Sequence, residues 1–163
     1  MLATRTLDSY LGHAISEICP HGYDRGEDNH CAHFVSHALQ LDFGYTCARA
    51  RGRAGGANLR VHELFARCRE PQWVLDCPTV DQGLIFVSDP SSFRGSPVEM
   101  ANVPRKHIGI LHMGRVWHYS NTRQRVVVQS AGEFLYHYPR QENALWFGSL
   151  PSACRPTPFG SCT

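Results

Sequence analysis

The sequence predicts an α+β domain, with N-terminal helices packed on a central antiparallel sheet. Three observations carry this reading. Up to about Pro71 the apolar residues recur at helical spacing. From Gly83 onward they gather in short, turn-bounded runs rich in Val and Ile. The order, helices first and strands afterwards, is that of an α+β domain rather than of alternating βα units. The chain has 163 residues, 42% hydrophobic and 18% charged, which suits one folded domain over residues 1–163 and argues against disorder.

Leu7, Leu11, Ala14, Ile15 and Ile18 share helical spacing, predicting a helix from about Leu7 to Cys19, and Pro20, Gly22 and Gly26 then break the chain into a loop. A second helix is expected from about Asn29 to Leu41, capped by Asp28 or Asn29, with Gly44 past its end. Its apolar positions are Phe34, Val35, Ala38, Leu39 and Leu41, and Cys31 shares the side of Val35 and Ala38, so its thiol is expected to point inward. The Gly/Arg-rich stretch from Ala48 to Ala57 reads as loop. Asn58 can cap a third helix through Val61, Leu64, Phe65 and Cys68, ending near Pro71. Strands are expected at Leu84–Ser88, His107–His112, Arg115–Ser120, Gln124–Gln129 and Ala144–Phe147, with a short helix over Ala131–Tyr138. The long connection from Asp89 to Pro104 is expected to border a substrate groove, since long loops in compact domains are commonly functional. The tail, with Pro151, Pro156 and Pro158, reads as irregular.

Composition narrows the function classes. The formal net charge of +2 demands no nucleic-acid partner. The basic run Arg49, Arg51, Arg53 and Arg60 is interleaved with glycine and lacks aromatic platforms, so it reads as a solvated loop. No apolar run is long enough to span a bilayer, and residues Met1 to Asp8 lack a signal-peptide core. The expectation is therefore a monomer made in the cytoplasm, with no membrane insertion. Seven cysteines are present: Cys19, Cys31, Cys47, Cys68, Cys77, Cys154 and Cys162. With Cys31 set aside, the remaining six allow up to three disulfides in an oxidising compartment or six reduced thiols in a reducing one.

Cys31 and His107 are the candidate catalytic pair. A thiol at a helix start gains from the partial positive charge there, and an imidazole can take its proton. With a two-residue turn at Met113-Gly114, His112 pairs with Arg115, Leu111 with Val116, and Gly109 with His118. His107 and His118 then share a face on neighbouring strands, within reach of an imidazole–imidazole hydrogen bond, while Asn121 falls on the other face. Gly109, without a side chain, would let the tip of the Cys31 helix approach the sheet. The expected site is Cys31 as nucleophile, His107 as general base, and His118 or Asn121 as the third residue. The backbone N–H of Cys31 would hold the oxyanion, with Tyr23 and Asn29 as further oxyanion or supporting candidates.

Asp28-Asn29-His30-Cys31-Ala32-His33-Phe34-Val35, Gly83-Leu84-Ile85-Phe86-Val87 and His107-Ile108-Gly109-Ile110-Leu111 with Val116-Trp117-His118 resemble the NlpC/P60 and CHAP group of papain-like cysteine peptidases. The resemblance spans about residues 28 to 120. It implies a papain-like core and a thiol amidase or endopeptidase that cleaves peptidoglycan stem peptides through a Cys31 thioester. A small member without a signal peptide is also similar to the peptidoglycan amidase effectors of type VI secretion, antibacterial toxins delivered to a target periplasm and countered by an immunity protein. Two departures stand out: Cys31-Ala32-His33 replaces the common Cys-Ser-Gly, and the cysteine-to-histidine separation is long. The segment Cys31 to Val35 also resembles the lecithin:retinol acyltransferase-like group, in which the histidine strand precedes the cysteine. The order here is the unpermuted one.

Three alternatives stand beside this reading. A thioesterase or acyltransferase would use the same site, and a non-catalytic module would keep the fold without the chemistry. A zinc-binding module would use His30, His33 and His37, which fall on one helical stripe. No carboxylate completes that stripe, so it is expected to face solvent, and neither a metal nor another cofactor is expected.

Overall fold

The computed structural model describes residues 4–74 and 81–149. Cys77, Cys154, Cys162 and the tail from Pro151 lie outside the described residues, as do the disulfide readings that involve them. The helices are α1 (Thr4–Asp8), α2 (Ile15–Ile18), α3 (Cys31–Leu39), α4 (Val61–Arg67) and α5 (Ala131–Leu135). The strands are β1 (Arg69–Val74), β2 (Gln82–Ser88), β3 (Phe93–Arg94), β4 (Glu99–Met100), β5 (His107–His112), β6 (Arg115–Ser120), β7 (Arg125–Ser130) and β8 (Ala144–Ser149). The main sheet runs β1-β8-β2-β5-β6-β7, with every neighbouring pair antiparallel, and β3–β4 form a separate ribbon. The architecture is mixed α+β. No helix among the described residues is long and apolar enough to cross a membrane.

The expected first helix is two short ones. Gly12 takes a left-handed φ of +82°, and backbone bonds from Gly12 N–H to Val126 O and from Val126 N–H to His13 O fasten the break to β7. Pairing with the sheet edge replaces the helical bonds that the spacing of Leu7, Leu11 and Ile15 favours. The third helix stops at Arg67, and β1, which the sequence did not suggest, begins at Arg69. Pro71 is tolerated there because β1 is an edge strand with an irregular register between Arg69 and Gln72. The arginine-rich loop is exposed at Arg49, Arg51, Arg53 and Arg60, as its composition suggested.

The sheet has two covered faces. On one, Cys31, Phe34 and Val35 of α3 and Leu64 and Phe65 of α4 pack with Phe86, Ile108, Ile110, Trp117 and Tyr119. On the other, Ala131 and Phe134 of α5 pack with Ile85, Val87, Leu111, Val116 and Phe147. Alternation along the strands decides which residue goes where. A capping box starts α5: Ser130 Oγ accepts the Glu133 N–H, and the Glu133 carboxylate accepts the Ser130 N–H.

The hairpin between β5 and β6 has the expected register, His112 with Arg115, Leu111 with Val116 and Ile110 with Trp117. Met113 and Gly114 both take positive φ, 49° and 75°, as a two-residue hairpin turn requires. Paired residues between these strands stop at Ile110–Trp117, while β5 stays paired with β2 as far as His107–Val87. A side chain at Gly109 would overlap Val116 Cγ1 and crowd Trp117 O and His118 Cβ. The close approach at this glycine is therefore by the hairpin's own second strand, and not by the tip of α3 as expected.

Candidate active site

Helix α3 begins at Cys31, and Cys31 is only 1% exposed. Its start is held by two asparagines. Asn29 Oδ1 accepts the Cys31 N–H at 3.0 Å, Asn121 Oδ1 accepts the His30 N–H at 2.9 Å, and Asn121 Nδ2 donates to Asn29 Oδ1 at 3.0 Å. These bonds satisfy donors that a helix start leaves without partners. They also correct an expectation: the Cys31 N–H is occupied by Asn29 and is not a free oxyanion donor. Asn29 and Asn121 support the helix tip.

His107 and His118 meet as the strand geometry suggested. His107 Nε2 lies 2.9 Å from His118 Nδ1, and His118 Nε2 lies 2.7 Å from Gln129 Oε1 on β7. An amide oxygen only accepts, so His118 carries its proton on Nε2 and accepts at Nδ1. His107 therefore donates from Nε2, and its Nδ1 keeps a lone pair. That Nδ1 is buried without a hydrogen-bond partner. His137, after α5, stacks on the His107 ring with centroids 3.8 Å apart and planes 11° from parallel. Phe134 packs against both His107 and His118.

The sulfur and the imidazoles approach from different sides. Cys31 packs in the α3-side cluster, whereas His107 lies among Phe134 and His137 on the α5 side. Among the described residues no hydrogen bond joins Cys31 to His107 or His118. The sulfur instead interacts electrostatically with the backbone N–H of Ile108, next in sequence to His107, at the end of β5 where residue pairing with β6 has ceased.

Electrostatics overturn the expectation of a thiolate prepared by the helix tip. Burial pushes the Cys31 thiol up to about 12, and the N–H groups of Ile108 and Ala32 and the Lys106 ammonium only partly offset it. Burial, with His137 and His118 adding repulsion, holds His107 well below the usual histidine range. Burial likewise lowers His118 to about 4. At neutral pH the Cys31 thiol and the His107 and His118 imidazoles are all uncharged.

Cys31 lines a pocket of about 230 Å³ with Asn29, His62, Arg105 and Lys106 among its walls. Residues Asn102 to Lys106 supply one side of it, so the long connection after β2 does border this pocket. Lys106 Nζ is tied to Asn102 Oδ1 at 2.9 Å and to Val103 O. His62 Nδ1 is buried without a partner. Tyr23 is not an oxyanion donor in this arrangement: its ring stands edge-on to His30 and His33, and its hydroxyl is directed to Asp28.

Gln129 and His137, which complete the histidine group, were not expected from the sequence. The histidine stripe of α3 also differs from expectation. His30 and His33 are fully buried and His37 half-buried, so the stripe does not face solvent. Cys19 and Cys47 lie beside His33 and His37, both as free thiols, like Cys68. A scan against protein-family models finds no match to this chain, and searches of curated proteins and of solved structures find none either.

Proposed function

We propose that the chain is a cysteine hydrolase with a papain-like core of the NlpC/P60 kind, cleaving amide bonds in peptidoglycan stem peptides. Cys31 is the nucleophile, His107 the general base acting through Nδ1, and His118 the residue that orients it. The observation that carries this reading is the buried, unpartnered Nδ1 of His107, left as a lone pair by the chain from Gln129 through His118. The Cys31 sulfur, which interacts with the backbone amide of Ile108, the residue after His107, is the acid that such a base would serve. Transfer between them requires that substrate binding bring sulfur and imidazole together at the end of β5.

In the proposed reaction the amide carbonyl enters the pocket beside Cys31. The thiol proton passes to His107 Nδ1 as sulfur bonds to the carbonyl carbon, so no resting thiolate is required. The Ile108 N–H is the proposed oxyanion donor. Collapse of the tetrahedral intermediate breaks the C–N bond, and His107 returns the proton to the departing amine. Water then attacks the thioester, giving its proton to His107, and the carboxylic acid leaves as the thiol re-forms. The pocket's cationic groups, Arg60, Arg105 and Lys106, suit a peptide carrying carboxylates. Delivery to a periplasm by a secretion machine, with an immunity protein in the producer, is the setting proposed for this activity.

Digestion of purified peptidoglycan, with fragments identified by mass spectrometry, tests the reading. The expected result is release of cleaved stem peptides by the wild type and none by Cys31→Ala. Turnover of acyl thioesters with intact peptidoglycan would assign the same site to a thioesterase instead. Cleavage by Cys31→Ala at the wild-type rate would end the proposal.

A further inference from the structure

Two groups of metal-capable side chains occur among the described residues: His107, His118 and His137, and Cys19, His33, His37 and Cys47. The first is poorly shaped for an ion. Imidazole lone pairs lie in the ring plane, and His107 and His137 are stacked 3.8 Å apart and nearly parallel, so their in-plane lone pairs do not converge. The second group has no such conflict. His33 and His37 are tilted by 45° and face each other through Nε2 at 3.1 Å.

We propose that Cys19, His33, His37 and Cys47 form a structural zinc site. The four ligand atoms all lie within 4.8 Å of one another. A tetrahedral ion with bonds of about 2.0–2.1 Å to nitrogen and 2.3 Å to sulfur separates its ligands by roughly 3.3 Å for N···N and 3.6 Å for S···N. The corresponding separations here are 3.1 Å between His33 Nε2 and His37 Nε2 and 3.9 Å between His37 Nε2 and Cys47 Sγ. Small shifts of the side chains bring all four to the ion. Two thiolates neutralise Zn²⁺, which suits a site where Cys19, His33 and Cys47 are buried.

A second, independent observation is the way His33 is oriented from behind. His30 Nε2 lies 2.8 Å from the Arg25 carbonyl, which can only accept, so His30 carries its proton there. Its Nδ1 is then an acceptor, facing His33 Nδ1 at 3.2 Å. His33 is thereby fixed with its proton on Nδ1 and the Nε2 lone pair aimed into the cluster. An outer partner on the far ring nitrogen is the usual support of a metal-binding histidine. Cys47 has its own support: its sulfur accepts the Ala57 N–H at 3.3 Å.

Mixed sulfur and nitrogen ligands in a tetrahedral set select zinc among the common divalent ions. Four protein ligands leave no open position, so the ion is structural and not catalytic. It would join the end of α2, the helix that begins at Cys31, and the loop carrying Cys47. This inference does not depend on the hydrolase reading, and either can fail alone.

The test is metal analysis of the full chain produced with zinc supplied and purified under reductant. Stoichiometric zinc is expected in the wild type and in Cys68→Ser, a cysteine outside the cluster. Its loss is expected in the Cys19→Ser/Cys47→Ser double variant. Should that variant not fold, the wild type alone decides: stripping zinc with a chelator should lower Tm by about 10 °C, and Zn²⁺ should restore it. Cobalt exchanged into the site should give the absorption of a tetrahedral thiolate-ligated ion. Three results would overturn the proposal: wild-type protein that takes up no zinc, zinc retained by the folded double variant, or a native Cys19–Cys47 disulfide.

Discussion

His107 Nε2 stands 2.9 Å from His118 Nδ1, and this contact decides which nitrogen of His107 is left to act. The proton order runs from Gln129 Oε1 through His118 to His107, so reversing it at Gln129 should disable the base. Gln129→Leu removes the acceptor and leaves a buried donor without a partner, at a cost of about 1–3 kcal/mol. The expected loss in kcat/KM is roughly tenfold to a hundredfold, with Gln129→Glu recovering part of it. His107→Ala should cost more, about 10²–10⁴-fold. Steady-state kinetics on a fluorogenic peptide amide check both.

The buried histidines make stability depend on pH. Burial, with repulsion from His137 and His118, holds His107 well below the usual range, and burial lowers His118 to about 4. In the unfolded chain both titrate near 6.5. Between about pH 6.5 and 4 the unfolded chain therefore binds more protons than the native one, and stability falls as pH falls. The slope is about 1.4 kcal/mol per pH unit for each histidine. Urea midpoints measured from neutral pH downward should decline through this window, whereas a flat profile would mean that these rings are solvated.

Alkylation should find Cys31 slow, and not fast. Its thiol is 1% exposed and pushed up to about 12, chiefly by burial, so little thiolate exists at neutral pH. Iodoacetamide should modify it at least ~100-fold more slowly than in the urea-unfolded chain, as read by peptide mapping. Rapid labelling of the folded protein would contradict a buried, neutral thiol.

Asn121→Ala should destabilise the start of α3. It removes the acceptor for the His30 N–H and the donor to Asn29 Oδ1, for an expected loss of about 1–3 kcal/mol. The urea midpoint should drop with m unchanged. An unchanged midpoint would show that water replaces both bonds.

Much of this arrangement was legible in the sequence because it rests on local rules. Alternation on β5 and β6, with the turn at Met113-Gly114, is enough to put His107 beside His118. The apolar spacing of α3 was readable, but its start was not: the helix begins at Cys31 with His30 at the cap position, two residues after the expected start at Asn29. What escaped depends on long-range packing. The break at Gly12 depends on a bond to Val126, more than a hundred residues away in the chain, and β1 exists only because β8 pairs with it. Gln129 and His137 carry no motif, and only the closure of β7 and α5 over the sheet brings them to His118 and His107. His33 and His37 were visible at i, i+4, but their partners Cys19 and Cys47 come from flanking loops with no characteristic spacing. A short helix was expected over Ala131–Tyr138, but the Ser130–Glu133 capping box that starts it was not, and it ends at Leu135.

The most direct test is acyl transfer to the protein itself. Wild-type chain mixed with an activated acyl ester should give one acyl adduct, mapped by peptide mass spectrometry to Cys31. In His107→Ala the adduct should form about 10²–10⁴-fold more slowly. An adduct confined to another residue, or one forming on Cys31 at the same rate without His107, would contradict the pairing of sulfur and imidazole on which the proposed function rests.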